Sequence, residues 1–161
     1  MVSGGVLILA GEALRLWAAS FIGPHSRGTT LRAPRLVTEG PYALMRHPLY
    51  AGNGLVCAGL LVFSGAFLPW LPIVFIPAFL VQYSLFMARE ERFMAAEWGS
   101  EWAAYRAKFS GRGARPALGS GNGVRFRITR EGWNLEWSTV RTILGLIVLF
   151  VASGLWKRAA E

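Results

Sequence analysis

The sequence predicts an all-α integral membrane protein: a helical bundle of about four transmembrane helices with an additional amphipathic helix in the cytoplasm. Apolar residues make up 53% of the 161 positions and gather into four long runs, while the formal net charge is +8. High apolarity combined with basic connecting segments is typical of membrane proteins with cytoplasmic loops. A nucleic-acid-binding domain is also basic, but it does not devote half of its residues to apolar side chains. We therefore expect no nucleic-acid partner.

The four apolar runs define the predicted membrane spans. They extend over about Val6–Ile22, Leu55–Phe67, Leu68–Met87 and Val140–Trp156. The third and fourth runs approach the twenty or so residues that a spanning helix needs, whereas the first two need flanking residues to reach that length. The second and third runs nearly fuse at Ser64–Pro69, where Gly and Pro residues predict a tight helical hairpin.

The first run contains two charged residues, Glu12 and Arg15. They lie three positions apart, so they share one helical face and can pair. Two interpretations stay open: a structural ion pair inside the bundle, or contact with a polar ligand. Cys57 stands alone in an apolar run and is interpreted as a small buried or lipid-facing residue. With one cysteine and two histidines, the sequence predicts no metal site.

From about Ala88 to Phe109 the pattern changes to that of an amphipathic helix. Aromatic residues recur there at helical spacing between charged residues. We expect this helix to continue from the third span into the cytoplasm. The Gly- and Ser-rich segment Ser110–Gly123 predicts a flexible loop, and the alternation of apolar and basic residues in Val124–Ile128 predicts a short strand.

The positions of the basic residues predict the orientation in the membrane. Arginines and lysines concentrate in Gly23–Arg46 and in Arg89–Arg130, whereas the turn between the second and third runs carries no charge. The positive-inside rule places both basic segments in the cytoplasm, where they can meet. Lys157 and Arg158, after the fourth run, disagree with this order. That run is therefore expected either to be re-entrant or to end in snorkelling side chains.

The most distinctive segment is Gly40–Gly52, with the sequence Gly-Pro-Tyr-Ala-Leu-Met-Arg-His-Pro-Leu-Tyr-Ala-Gly. We expect it to form a loop at the membrane edge, directly before the second span. Loops with this much polar and conformational specificity carry function more often than packing, and ionisable residues near a membrane are candidate functional residues. A rigid turn that anchors the chain at the membrane surface is the simpler alternative.

Two groups of side chains in this region suggest a ligand. Hydrogen-bond donors of Tyr42, Arg46, His47 and Tyr50 suit a carboxylate or another anionic group. The adjacent acids Glu90–Glu91 suit hydroxyls, amines or a cation, although a solvated helix face also explains them. A zwitterionic, sugar-bearing cofactor would satisfy both groups. The sequence contains no Gly-rich phosphate loop and no Ser-His-Asp arrangement.

The run Leu36–Gly52 resembles the signature of the isoprenylcysteine carboxyl methyltransferase family, which is itself similar to phospholipid N-methyltransferases. Upstream, Leu14–Ala18 followed by Gly23 is similar to the first helix of that family. Downstream, Glu90–Glu91, then Gly99 and Tyr105, resemble its pattern of paired acids, Phe-Gly and Tyr-x-x-Tyr. The resemblance covers about Gly11 to Pro116. Departures from the pattern are Trp98, Trp102, Pro34 and the segment Ser110–Pro116.

This resemblance implies S-adenosylmethionine as methyl donor, bound at the cytoplasmic membrane face in a helical fold. It implies that the cofactor site is lined by Leu36, Val37, Tyr42, His47, Pro48, Leu49 and Tyr50, and contacted from the other side by Glu90 or Glu91. It further implies that Arg46 or Arg89 orients the substrate. The expected acceptor is a lipid-like or prenylated amphiphile that enters from the membrane lipids, and the expected reaction is an in-line displacement.

Three alternatives to this function remain open. The helical architecture also resembles that of NADPH-dependent membrane sterol reductases, a non-enzymatic membrane protein could keep the same fold, and a nitrogen-metabolism membrane protein of the NnrU type is related. The sequence predicts a methyltransferase core over residues 1–116 and a loop with a C-terminal transmembrane or re-entrant helix over residues 117–161. The expected location is the bacterial inner membrane, with the active site facing the cytoplasm.

Overall fold

The part of the chain that the structure describes folds into four helices and one short turn of 3-10 helix. The computed structural model describes residues 2–23, 34–65, 69–109 and 124–159. Its helices are α1 (Val2–Ile22), α2 (Pro48–Ser64), α3 (Trp70–Ala107) and α4 (Arg130–Ala159), and the 3-10 turn spans Gly40–Ala43. Three helices, α1, α3 and α4, are long and apolar enough to cross a membrane, and α2 is a shorter apolar helix. The prediction of an all-α membrane protein is therefore confirmed.

Helix α1 lies at the centre and packs antiparallel against α2 through glycines. Gly4 faces Gly59 and Gly11 faces Gly52, so closely that a Cβ atom on Gly11 would lie 2.7 Å from the carbonyl oxygen of Gly52. A Cβ atom on Gly59 would likewise lie 2.8 Å from the carbonyl oxygen of Gly4. Small residues allow two membrane helices to approach this closely. The α1–α2 pair is thus the tightly packed part of the bundle.

Helix α4 also packs antiparallel along α1. Gly132 lies against Ser20 near one end of α1, and Ile143 joins Ile8 and Val56 in a buried cluster near the other end. The buried residues of α4, which include Glu136, recur at helical spacing along one face. The helix begins ten positions before the predicted run and is continuous, and it is long and apolar enough to span a membrane.

Helix α3 is attached to the bundle differently, because its most apolar window has no buried residues. Its buried residues in the described part of the chain are Trp102 and Tyr105, which follow an interruption at Gly99 with φ 43° and ψ −113°. Glycine adopts this backbone conformation without the steric penalty that a Cβ atom imposes. The prediction that the third span continues directly into the amphipathic segment is confirmed, because α3 runs from Trp70 to Ala107 with an unpredicted kink at Gly99.

Two local predictions were wrong. The predicted loop Gly40–Gly52 ends at His47, because Pro48 begins α2; proline suits the first helical position, where its missing N–H has no partner to lose. The segment Val124–Ile128 is not a strand, and no strand occurs elsewhere in the described ranges to pair with it. The predicted loop Ser110–Gly123 lies outside the described residues. So does the centre of the predicted hairpin, between Gly65 and Pro69.

Candidate functional site

The 3-10 turn Gly40–Ala43 is held firmly against the end of α1. Gly40 has a positive φ of 62°, and a Cβ atom there would lie 2.6 Å from the ring of Phe21. Pro41 is fully buried, and Tyr42 packs in a cluster with Ala18 and Phe21. Only glycine combines this backbone conformation with so little space. The turn therefore fixes the position of Tyr42.

Tyr42 connects the turn to α3 and also keeps one polar atom unpaired. Its carbonyl oxygen accepts a 2.8 Å hydrogen bond from the hydroxyl of Tyr105, which lies beyond the kink at Gly99. Its own hydroxyl is buried and has no hydrogen-bond partner among the described residues. Burial and the nearby Glu90 raise the pKa of Tyr42 well above its ordinary value. The group therefore stays protonated and can donate to a ligand.

His47, the residue directly before α2, lies against the paired acids of α3. Its Nε2 atom is 3.1 Å from Oε1 of Glu91, and its Nδ1 atom is 3.7 Å from Oε2 of Glu90. Burial alone would lower the pKa of His47, but its interactions with the two negatively charged carboxylates together outweigh burial and raise the pKa above 6.5. A larger fraction of the imidazole is therefore cationic near neutral pH.

The two acids have different surroundings. Glu91 also accepts a hydrogen bond from Nη1 of Arg46, and its Oε2 atom lies 3.7 Å from Nε of Arg106. The side chain of Glu91 is 19% exposed and that of Glu90 is 34% exposed. Glu91 thus has three cationic neighbours, whereas His47 is the one ion-pair partner of Glu90 in the described part. We call Arg46, His47, Glu90, Glu91 and Arg106 the edge network.

Aromatic rings extend from the edge network along the space between α2 and α3. The Tyr50 ring stacks on His47 at a centroid distance of 5.6 Å and meets the Tyr83 ring edge-on at 5.3 Å. Tyr83 in turn stacks on Phe79 at 4.1 Å, and its hydroxyl accepts a 3.0 Å hydrogen bond from the side-chain amide of Asn53. These side chains join the two helices on the way from the charged cluster towards the apolar part of α3.

The remaining predicted site residues take different positions. Val37 and Leu49 are partly buried and pack against the cluster that contains Tyr42. Pro48 is fully buried, and Leu36 is partly buried in the chain before the turn. Arg89 is exposed and makes no ion pair or hydrogen bond with the described residues. The structure therefore brings together the tyrosines, His47, Arg46 and both acids, but not Arg89.

Sequence reasoning missed a second set of charges, in the interior of the bundle. Arg15 pairs with Glu12 at 3.4 Å, which confirms the predicted ion pair, and its Nε atom also donates to Glu136 of α4 at 3.1 Å. Nη2 of Arg15 lies 3.3 Å from the hydroxyl of Thr139. Glu136 is only 3% exposed. The available signal was an acid between an apolar and an aromatic residue, Leu135-Glu136-Trp137, close to the start of the fourth apolar run. We call Glu12, Arg15 and Glu136 the buried network.

A cavity of about 410 Å³ lies beside the turn rather than within the edge network. It is lined by Phe21, Arg35, Glu39, Arg125, Phe126 and Arg127. None of the predicted cofactor-binding residues lines it. Three arginines against one acid suit an anionic ligand, whereas the edge network offers acids, hydroxyls and an imidazole together. The candidate site for a zwitterionic cofactor is therefore the edge network. No group of three or more metal-ligating side chains is placed to hold a metal ion within the described ranges.

Comparison with known proteins adds to this geometry. The sequence profile of the phospholipid methyltransferase family matches residues 1–101, which contain α1, α2, the turn and the paired acids of α3. The cobalt-zinc-cadmium resistance protein CzcN of Cupriavidus metallidurans is 39% identical over 93 residues. That alignment covers 56% of this chain and 38% of the relative. No solved structure matches this chain. Because the family profile covers well over half of the sequence, the chain belongs to the phospholipid methyltransferase family.

Proposed function

We propose that this protein is an integral membrane methyltransferase that uses S-adenosylmethionine and acts on a lipid-like amphiphilic acceptor. Family membership supports the reaction type. The observation that carries the proposed site is the meeting of His47 with Glu90 and Glu91 across 43 and 44 positions of sequence, next to a buried tyrosine hydroxyl. We further propose that residues 1–116 form the catalytic core, in the bacterial inner membrane with this site facing the cytoplasm.

The chemical groups around the edge network suit such a cofactor. Glu90, the more exposed acid, is the proposed partner of the cofactor's ammonium or ribose hydroxyl groups. The hydroxyl of Tyr42 and the indole nitrogens of Trp98 and Trp102 are buried donors without partners among the described residues. Unpaired buried donors cost free energy unless a ligand satisfies them. Leu36, Val37, His47, Pro48, Leu49 and Tyr50 complete the proposed wall.

We assign Glu91 a positioning role, because it already holds Arg46, His47 and Arg106. Arg46, which is 31% exposed, keeps guanidinium donors beyond those that Glu91 occupies. It is the proposed residue that orients an anionic part of the acceptor. Arg89 is the less favoured choice, since it is exposed and makes no ion pair or hydrogen bond with the network in the described part.

When bound, the cofactor would supply an electrophilic methyl group for a lone pair of the acceptor, with the thioether as the leaving group that keeps the electrons of the carbon–sulfur bond. The residues of this chain need only bind, align and exclude water for such a transfer. This requirement accounts for a site that is rich in binding groups.

A lipid-like acceptor fits the exposed surface of α3. Large apolar side chains, such as those of Leu80, Val81 and Leu85, are more than half exposed on that helix. Because α3 is apolar enough to span a membrane, these side chains are expected to face lipid. An acceptor dissolved in the bilayer could therefore approach the edge network along the rings of Tyr83 and Tyr50 without crossing water.

The proposal is tested by a methyl-transfer screen with the purified full chain in lipid nanodiscs. Labelled S-adenosylmethionine is incubated with total bacterial membrane lipids, and mass spectrometry identifies the methylated product. We expect label in the lipid fraction for the wild type and for Glu97→Gln, which changes an exposed acid of the same helix. Glu90→Gln should lose most of this transfer.

A binding experiment separates the alternatives. We expect S-adenosylhomocysteine to bind in calorimetry and NADPH not to bind, and we expect His47→Ala and Tyr50→Ala to abolish binding without loss of expression. Binding of NADPH alone would favour a membrane reductase. Binding of neither nucleotide would favour a non-enzymatic membrane protein and would overturn the proposal.

A further inference from the structure

The cavity next to the turn is surrounded by more positive than negative charge. Among the described residues, its lining contains the guanidinium groups of Arg35, Arg125 and Arg127 but one carboxylate, that of Glu39. Arg125 pairs with Glu39 at 3.5 Å, which leaves two further positive charges at the same cavity. Like charges that line one cavity repel each other, and an anion bound between them would relieve this repulsion.

Two of these arginines are held in place by the end of α1. Nη2 of Arg35 donates to the carbonyl oxygen of Phe21 at 3.0 Å, and Nη2 of Arg127 donates to that of Ser20 at 3.2 Å. Cations at the C-terminal end of a helix are favoured by its dipole. Helix capping explains one donor of each group, but a guanidinium has five N–H donors. Most of the hydrogen-bonding capacity of both arginines is therefore not used by these contacts.

Apolar side chains beside the cavity are exposed. Phe126 is 75% exposed, Ile128 is 49% exposed and Val124 is 39% exposed. They alternate with Arg125 and Arg127 in a segment that is fastened to α1, because the indole nitrogen of Trp17 donates to the carbonyl oxygen of Arg125 at 2.9 Å. Tryptophan is typical of the membrane–water interface. A guanidinium-lined cavity next to exposed apolar side chains matches the head group and the acyl chains of a lipid.

We propose that this cavity binds the phosphate group of an anionic membrane phospholipid, with the lipid chains resting on Val124, Phe126 and Ile128. Arginine is suited to this because its planar donors grip phosphate oxygens in pairs. Arg125, Phe126 and Arg127 lie after the last residue matched by the family profile. The site is separate from the proposed methyl-transfer site and does not depend on it. Phe21, however, contributes to both the cavity and the packing of the turn.

Native mass spectrometry of the full chain in a neutral detergent tests this proposal. The probe is phosphatidylglycerol, which has no amine and so cannot be an acceptor for N-methylation. Diacylglycerol with the same chains serves as the phosphate-free comparison. We expect phosphatidylglycerol to be retained and diacylglycerol not. The double variant Arg35→Gln/Arg127→Gln should lose about tenfold or more in affinity, since charge-assisted hydrogen bonds to phosphate disappear.

Two further variants guard against a folding artefact. Glu39→Gln removes the competing carboxylate and should strengthen retention a few-fold, a gain that misfolding cannot produce. Arg92→Gln removes an exposed arginine away from the cavity and should change nothing. Equal retention of phosphatidylglycerol by the double variant, or unchanged retention by Glu39→Gln, would overturn the proposal.

A competition arm identifies the source of the phosphate group. If the ligand is a lipid, millimolar inorganic phosphate should displace phosphatidylglycerol only weakly, because the apolar contacts of the chains are lost on exchange. If inorganic phosphate binds in an Arg35- and Arg127-dependent manner while phosphatidylglycerol is not retained, the anion site stands but the lipid assignment is wrong.

Discussion

The edge network and the buried network use the same residue types in different surroundings. In the buried network, Glu136 is 3% exposed and Arg15 is 13% exposed, and their contacts join α4 to α1. In the edge network, Glu90 is 34% exposed and Arg46 is 31% exposed, and the contacts join α3 to the start of α2. A charge pair that is sealed from solvent can hold helices together but cannot exchange partners. The edge network is partly exposed, so a ligand can reach its charged groups.

The two networks also differ in the backbone packing around them. Around Arg15, the glycines of α1 and α2 bring the two backbones into direct contact. Around Glu91, α3 is attached by polar and aromatic side chains, and its apolar window has no buried residues. Loss of a charge should therefore destabilise the fold in the first case and weaken ligand binding in the second.

The largest effect is expected for Glu136→Ala. Removal of this carboxylate takes away one of the two negative charges that neutralise Arg15 inside the bundle. Breaking a buried ion pair typically costs about 3–5 kcal/mol. Unfolding in mixed detergent micelles, followed by circular dichroism, should show a loss of that size. Glu131→Ala, which changes an exposed acid of the same helix, should change the free energy of unfolding by less than about 0.5 kcal/mol. Equal stability of the two variants would contradict the structural role of the buried network.

Glu91→Gln should weaken ligand binding strongly and change the stability of the fold only slightly. It removes the negative charge that holds Arg46, His47 and Arg106 around one carboxylate. We expect the affinity for S-adenosylhomocysteine to fall by about tenfold or more, because the binding groups lose their common partner. The free energy of unfolding should change by only about 1 kcal/mol, since the pair is partly solvated. Calorimetry and detergent unfolding of the same preparation measure both. A loss of stability as large as that of Glu136→Ala would contradict the claim that the edge network, unlike the buried network, serves ligand binding.

Gly99→Ala tests whether the kink positions the site. The backbone of Gly99 has φ 43° and ψ −113°, and a Cβ atom added there would meet no other atom within 4 Å. The expected cost is therefore backbone strain of about 1–3 kcal/mol rather than a clash. The strain should move Trp102 and Tyr105 away from the turn. Trp102 would then become more exposed to solvent, and the tryptophan fluorescence spectrum should shift. Gly145→Ala is the matched control, because Gly145 lies inside α4 with equally open surroundings. A fluorescence spectrum unchanged by Gly99→Ala would show that the kink is dispensable.

The smallest expected effect is a pH dependence carried by His47. Its pKa is raised in the folded protein above the ordinary 6.5. The contribution of His47 to stability is therefore fully present below pH 6.5 and is lost as the pH rises through the higher folded-state value. Unfolding measured from pH 6 upwards should show this decline in the wild type and not in His47→Gln. A contribution that grows with pH would contradict the ion pairs with Glu90 and Glu91.

The sequence predicted most of the helical architecture because apolar runs and charge placement report directly on membrane spans. The approach of Glu90–Glu91 to His47 was anticipated from the shared side of the membrane, and Glu12 pairs with Arg15 because their spacing is local. Glu136 was missed because its partner lies 121 positions away, and no periodicity in α4 indicates which acid another helix will neutralise.

The other wrong predictions, unlike that for Glu136, have local causes. Pro48 was placed in a loop, although proline at a first helical position begins a helix as readily as it ends one. The alternation in Val124–Ile128 reflects apolar residues that are exposed beside Trp17 and the arginine cavity, not the two faces of a sheet. The kink at Gly99 could not be predicted from the sequence, because a single glycine in a helical pattern can adopt either helical or non-helical backbone angles.

The most direct test of the proposed cofactor site is the equilibrium binding of S-adenosylhomocysteine to the purified protein and to Glu90→Gln, with Glu97→Gln as the control of equal charge change. We predict that the wild type and Glu97→Gln bind with the same affinity, and that Glu90→Gln binds about tenfold or more weakly. Equal affinities of all three proteins, or the absence of binding to the wild type, would contradict the assignment of the edge network as the cofactor site.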